Sequence, residues 1–172
     1  PPATAVPHLT SSPPHLKRID SPVGRIELTS DGAAITSLAI ERDGSLPWQA
    51  LPENSVAVLD EAARQLGEYF AGDRRDFDVP VLVRGTEFQR CVWNELGAIA
   101  FGHVLSYGEI GMATGRATAG RAVGGAVGAN PIPIIVPCHR VLASDRRITG
   151  YSAGQGIPTK VWLLDHEGIV HR

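Results

Sequence analysis

Cys138 and His139 stand side by side late in a chain of 172 residues, with Arg140 next in line. A thiol beside an imidazole places a nucleophile beside a base. Cysteine attacks as the thiolate, and a nearby imidazole or cation lowers the pKa that controls it. His139 and Arg140 supply both kinds of neighbour, provided the fold turns them toward the sulfur. The preceding segment, Asn130-Pro131-Ile132-Pro133-Ile134-Ile135-Val136-Pro137, is apolar and stiffened by prolines that fix φ and remove donors. Such a segment would hold a nucleophile still. Taken alone, however, an adjacent Cys-His pair fits a buried inert thiol better than a reactive one. The only other cysteine, Cys91, lies 47 residues earlier and is read as a core residue on a helix face shared with Phe88 and Val92. His8, His15 and His171 near the termini are read as solvated, and His103 as a loop residue. No four-ligand set emerges, so no metal and no cofactor is expected.

The positioning elements follow from periodicity and punctuation. Residues 1–15, rich in Pro and Ser, are read as a flexible lead-in. Lys17 to about Arg42 alternates in polarity between the turn candidates Ser21-Pro22-Val23-Gly24 and Asp31-Gly32, which predicts antiparallel strands. Val58, Leu59, Ala62, Leu66, Tyr69 and Phe70 recur at helical spacing and predict a helix from about Ser55 to Ala71. Phe77 to Arg84 reads as an extended connector, because Pro80 argues against a central strand. Thr86 with Gln89, and Ser106 with Glu109, fit capping boxes opening two helices, to about Gly97 and Thr114. A turn containing Gly115 and a third helix from about Ala119 to Ala129 complete a helix-turn-helix candidate. Ala119, Gly120, Ala122, Gly124, Gly125, Ala126 and Gly128 leave that third helix nearly bare. Tight packing on another helix and close approach to a nucleic acid explain the bareness equally well.

Composition is that of a soluble globular protein, with 20% charged and 43% hydrophobic residues. No apolar run reaches membrane-spanning length and no basic-then-apolar leader is seen, so a cytoplasmic protein without membrane contact is expected. Two cysteines give no disulfide framework, in keeping with a reducing compartment. The net charge of −2 is unevenly distributed. Residues 1–83 carry seven Lys/Arg against twelve Asp/Glu, a balance of −5, and residues 84–172 carry nine against six, a balance of +3. Between Ile110 and Leu163, Arg116, Arg121, Arg140, Arg146, Arg147 and Lys160 face the single Asp145. That fits either a modest nucleic-acid surface or a merely uneven one.

Pro137-Cys138-His139-Arg140-Val141 resembles the active-site signature of the O6-alkylguanine-DNA alkyltransferases, the methylated-DNA–protein-cysteine methyltransferases. The similarity extends over Phe101-Gly102, Ser106-Tyr107, Arg121-Ala122-Val123-Gly124, Asn130-Pro131-Ile132-Pro133, Gly150-Tyr151-Ser152 and Trp162-Leu163-Leu164-Asp165-His166-Glu167-Gly168, in family order across residues 86–168. Residues 17–85 are similar more loosely. Residues 1–15, the flexible segment by composition, lie outside the resemblance, which implies an α+β protein: 16–85 as a small ribonuclease H-like α/β domain with its connector, and 86–172 as a mainly helical, winged-helix-like domain with a helix-turn-helix. It implies double-stranded DNA containing O6-alkylguanine as partner, with O4-alkylthymine as a second substrate. The protein would act as a monomer, with clustering on DNA left open.

The resemblance also implies roles. Cys138 would accept the alkyl group irreversibly, with His139 as its base through a bridging water and Glu167 orienting the imidazole. Tyr107 would hydrogen-bond or protonate the departing guanine, and Asn130 would brace the turn before Cys138. Tyr151, Ser152, Val141 and Pro133 would line the base pocket. Gly120 and Ala122 would permit minor-groove approach, Arg121 would replace the extruded nucleotide in the stack, and Arg116 and Ser144 would contact phosphate. The chain departs from the family where two glycines commonly follow Tyr-Ser. Here Tyr151-Ser152-Ala153-Gly154-Gln155-Gly156-Ile157-Pro158 has one glycine replaced and about two residues added. Ser144-Asp145-Arg146-Arg147 is also more charged than the short Gly-containing turn the family leads one to expect, and no cysteine-rich zinc module for a methyl-phosphotriester sensor is expected. Two rivals compete: a non-catalytic protein that recognises alkylated DNA or regulates transcription, and a cysteine hydrolase using Cys138, His139 and Glu167.

Overall fold

The computed structural model describes residues 12–116 and 120–172. Three antiparallel strands open the fold: β1 (His15–Ile19), β2 (Ile26–Ser30) and β3 (Ile35–Ile40), in the order β1-β2-β3. Leu28 sits opposite Lys17 on one side and Leu38 on the other. Every residue of β2 is buried, because helix α1 (Ala57–Phe70) covers one face of the sheet and the 46–51 loop is drawn over the other by Arg18. Arg18 pairs with the buried carboxylate of Glu27 at 3.0 Å and donates to the carbonyls of Trp48 and Leu51. Glu27 also accepts from the Trp48 amide, so its charge is buried with its partners in place. Beside β3, the amide of Ile35 bonds the Pro80 carbonyl and Leu82 bonds back to Ile35, which makes residues 77–84 the extended connector that Pro80 suggests.

The helical half follows: α2 (Glu87–Gly97), β4 (Leu105–Ser106), α3 (Tyr107–Ala113), α4 (Gly120–Gly128), a 3₁₀ turn (Cys138–Arg140), β5 (Val141–Leu142) and α5 (Ile157–His166). Both capping boxes are formed, at Thr86 with Gln89 and at Ser106 with Glu109. The fold is therefore mixed α+β, a small sheet domain before a helical one. The two share a continuous core in which Ile26, Leu28 and Leu66 join Val92, Leu96, Ile132, Val141 and Leu163. No helix among the described residues is long and apolar enough to cross a membrane.

Several expectations need correction. Cys91 is exposed, not core. The inward face of α2 is Val92, Trp93 and Leu96, with the Trp93 indole donating to the Ala126 carbonyl at 2.8 Å; Cys91 then lies roughly 150° from the centre of that face. His15 belongs to β1 and is half-buried, so the strand starts inside what reads as lead-in, and His171 is held by Asp165 at 2.8 Å. His8 and the flexible segment up to residue 11 lie outside the described residues, as do Ala119 and residues 117–118 of the turn before α4. Arg140 and Lys160 are 5% and 1% exposed, so the surface cations between Ile110 and Leu163 reduce to Arg116, Arg121, Arg146 and Arg147. Finally, a Cβ built on Gly120, Gly124, Gly125 or Gly128 of α4 would meet nothing within 4 Å. Tight packing inside the protein does not account for these glycines.

Candidate active site

Cys138 is carried by a segment that has little freedom. The Asn130 side chain donates to the Val136 carbonyl at 2.7 Å and accepts from the Ile132 amide at 3.0 Å, closing residues 130–136 into a compact loop. Within it Ile134 adopts φ 73°, a conformation costly for a β-branched residue and held only because its surroundings fix it. The β3 amide of Leu38 bonds the Pro131 carbonyl at 3.0 Å, so the N-terminal sheet supports this loop directly. The chain then turns through Cys138–Arg140 and enters β5, which pairs in parallel with β4. That pairing places the start of α3, hence Tyr107, beside the residues just after the cysteine.

A cavity of about 550 Å³ results, lined by Cys138, Tyr107, Tyr151, Ser152, Lys160 and Thr149 and roofed by Gly120, Gly124, Val127 and Gly128 of α4. Cys138 is 4% exposed at its base. Thr149 donates to the Tyr107 hydroxyl at 3.2 Å, and Ser152 donates to the Gly128 carbonyl at 2.7 Å. Two residues expected in this pocket lie elsewhere. Val141 is fully buried in β5 with its carbonyl accepting from Lys160, and Pro133 lines a separate depression against β3.

Behind Cys138 lies a buried ionic cluster. His139 Nε2 bonds Glu167 Oε2 at 2.7 Å, both side chains being fully enclosed. Its other ring nitrogen, Nδ1, is buried and bonded to no protein group. Arg140 does not serve Cys138 as the sequence suggests; it grips both oxygens of Glu167, at 2.8 and 2.9 Å, and the Ile99 carbonyl at 2.6 Å. Glu167 also accepts from the Gly102 amide and, at 2.6 Å, from the hydroxyl of Tyr69 on α1.

The electrostatics match a pair that is neutral at rest. Burial pushes the Cys138 thiol above its ordinary pKa, against the opposing pull of Asn130, Lys160 and Tyr151. Burial likewise lowers the His139 imidazole, with Glu167 opposing and Arg140 adding to the lowering. Burial would raise the Glu167 carboxyl, but hydrogen bonds from His139 and Arg140, with further help from Tyr69, hold it well below the usual carboxylate range. A neutral imidazole can take a proton and a thiol can give one, with a fixed carboxylate to steady the imidazolium that forms. Burial pulls the Lys160 ammonium down to about 8, and its Nζ donates to the carbonyls of Val141 and Gly150.

The sequence reading gives Tyr69 and Lys160 no place in the site and does not foresee the Arg140–Glu167 contact. Both residues left a signal. Lys160 is spaced three and four residues from Leu163 and Leu164, on the face that must be buried, and Tyr69 sits on the apolar stripe of its helix, where a phenol needs a partner. The DNA-facing candidates are dispersed. Gly120, Arg121 and Ala122 are exposed on α4, and Ser144 lies in an exposed turn closed by the Ala143 and Arg147 backbones. The Arg116 guanidinium lies 4.7 Å from the centre of the Phe88 ring. Among the described residues no group of three His, Cys, Asp or Glu is placed to hold a metal ion.

Comparison with known proteins agrees along nearly the whole chain. Residues 16–83 match the ribonuclease-like domain, and residues 87–169 the DNA binding domain, of 6-O-methylguanine DNA methyltransferase. The methylated-DNA–protein-cysteine methyltransferase of Methanosarcina acetivorans is 51% identical over 152 residues, 87% of this chain and 95% of that one. The crystal structure of Mycobacterium tuberculosis O6-methylguanine methyltransferase aligns with a TM-score of 0.79 at 42% identity, covering 89% of this chain and 92% of that one. A second M. tuberculosis structure, solved in complex with DNA, aligns with the same TM-score of 0.79 and over the same shares. A thiol at the floor of a cavity roofed by a bare helix, with a buried imidazole–carboxylate pair behind it, thus occurs in a chain that belongs to the 6-O-methylguanine DNA methyltransferase family.

Proposed function

We propose that this protein repairs DNA by direct reversal, moving the alkyl group of O6-alkylguanine onto its own Cys138. The observation that carries the reading is the placement of a buried thiol at the base of an open-mouthed cavity, backed by an imidazole fixed by Glu167. His139 takes the thiol proton, relayed to Nδ1 by a water, and Glu167 steadies the charge that develops on the ring. The thiolate sulfur then attacks the alkyl carbon. The carbon–O6 bond breaks and its electron pair goes to the guanine, which leaves neutral once Tyr107 has supplied a proton. A thioether remains on Cys138, which no simple hydrolysis reverses, so each molecule acts once.

A base paired inside a duplex cannot reach this cavity, so the target nucleotide is extruded into it. The glycine-rich surface of α4 lies at the cavity rim, where α3 and α4 act as the helix-turn-helix and Arg121 fills the gap left in the stack. Arg116 and Ser144 hold the phosphate backbone, which positions the protein without reading sequence.

Intact-protein mass after mixing with a duplex containing one O6-methylguanine tests the proposal. A stoichiometric gain of one CH₂, mapped to Cys138 and absent in Cys138→Ser, is the expected result. Tight binding with unchanged mass would make the protein a damage reader, and repeated turnover of an ester or amide would make it a hydrolase.

A further inference from the structure

The segment Tyr151–Gly156, whose sequence departs from the family pattern, forms one wall of the Cys138 cavity through Tyr151 and Ser152. On its far side lies a separate depression of about 460 Å³ between this wall and β3, which Ser152, Ala153 and Gly154 also line. The wall therefore has open space behind it. What fixes it in place is a residue of the N-terminal half. Arg42 donates from Nε to the Gly154 carbonyl at 2.7 Å and from Nη2 to the Ser152 carbonyl at 3.1 Å.

Arg42 is itself well anchored. Its amide and carbonyl exchange hydrogen bonds with Ser45 at 3.0 and 2.9 Å, and the intervening Asp43 and Gly44 both have positive φ, 52° and 80°. This is the tight Asp-Gly turn whose twist matches a strand pair, and it fixes the direction in which the arginine leaves the backbone. At the other end, Gly154 is seated with almost no clearance. A Cβ there would come 2.7 Å from Thr159 Oγ1 and 3.0 Å from Ile40 Cγ2. Thr159 Oγ1 also accepts from the Gln155 amide at 3.0 Å. The wall is thus fixed at Gly154 by α5 and β3, and its pocket-facing residue Ser152 is tied back by Arg42 and by the Gly128 carbonyl.

We infer that Arg42 is a positioning residue that sets the size of alkyl group the pocket accepts, by fixing the Ser152–Gly154 wall of the Cys138 cavity. The inference rests on the alkyltransferase reading of the site. With the guanidinium in place the wall is fixed, which favours a small group such as methyl and leaves a bulky one such as benzyl no room made by movement of the wall. Without it the wall can withdraw into the depression behind, so methyl loses its positioning contacts while benzyl gains room.

Single-turnover transfer rates from duplexes carrying O6-methylguanine or O6-benzylguanine test this in the full chain. Arg42→Ala should lower the methyl-to-benzyl rate ratio by about fivefold or more. Arg42→Lys, which can regain one carbonyl, should fall between that variant and the parent. Arg42 is exposed, so both variants should fold, as thermal melting will show. A ratio unchanged in Arg42→Ala, whether both rates stay or both fall together, overturns the inference. If the parent protein takes up neither group, the inference falls with the alkyltransferase reading itself, a failure seen before any variant is made.

Discussion

Glu167 accepts five hydrogen bonds: from Tyr69, His139, the Gly102 amide and two nitrogens of Arg140. A carboxylate offers about four good acceptor positions, so these donors share its charge. Sharing has a consequence for catalysis. In the proposed mechanism His139 must be neutral to accept the thiol proton, and an undiluted carboxylate at 2.7 Å would favour the imidazolium instead. Tyr69 and Arg140 draw part of that charge away. Tyr69→Phe removes one donor, while the ring keeps its contacts with Phe70, Phe77, Phe101 and His166. Glu167 should then raise the imidazole pKa, so the acid limb of the pH–rate profile should move to higher pH. Transfer near neutrality should slow by about threefold to tenfold. The other charged groups facing the ring, Arg140 and Lys160, are untouched by this change. An acid limb that stays in place, with only the melting temperature lowered, would reduce Tyr69 to a packing role.

Helix α4 poses the same kind of question for a whole element. Glycine is a poor helix residue, and four of the nine residues in Gly120–Gly128 are glycine. Because no described atom lies within 4 Å of a Cβ at any of them, packing among the described residues leaves them unexplained, whereas the DNA-facing role proposed for α4 explains them. Gly125, exposed on α4, separates the two effects. Gly125→Ala should stabilise the helix by roughly 0.5–1 kcal/mol, read as a higher melting temperature. It should also weaken binding to undamaged duplex, followed by fluorescence anisotropy, because a methyl then stands where the backbone approaches the groove. Unchanged affinity would remove the groove-contact reading of α4. At this scale the sequence is legible where the signal is local. Thr86 and Ser106 announce their helices because a cap and its partner lie three residues apart. Cys91 misleads because the inward face of α2 is set by Trp93 reaching Ala126 on another helix, a contact no helical periodicity contains. Asp43-Gly44 is a strong turn signal, but its importance lies in what Arg42 reaches, 110 and 112 residues away.

Across the whole molecule, the sheet domain supports the chemistry at four points. Leu38 braces Pro131, Arg42 holds the pocket wall, and Tyr69 bonds Glu167 through its hydroxyl and His166 through its carbonyl. The roles suggested for Cys138, His139 and Glu167 could be placed from sequence because each sits in a short motif. The support could not, because Tyr69 and Glu167 are 98 residues apart and only the folded core brings them together. The charge tally misled for the same reason: Arg140 and Lys160 count as surface cations until the fold buries them. The buried cluster also ties stability to pH. Replacing Glu167 by Gln leaves the Arg140 guanidinium buried without its counter-charge, which should cost about 3–5 kcal/mol near neutrality. The Glu167 carboxyl is held below its ordinary value, so its contribution is full above the unfolded carboxylate pKa of 4.5 and is lost as pH falls toward the folded value. The stability gap between parent and Glu167→Gln should therefore be widest near pH 7 and narrow steadily below about pH 4.5, as urea midpoints across that range will show. Acids away from the cluster, such as Asp31 and Glu41, titrate in both proteins alike and cancel in the comparison. Because the cluster joins both halves, tryptophan fluorescence, which includes Trp48 beside the sheet, and helical circular dichroism should report one transition. A gap that does not depend on pH would mean that Glu167 acts through shape alone, and two separate transitions would mean that the sheet domain stands apart from the site it supports.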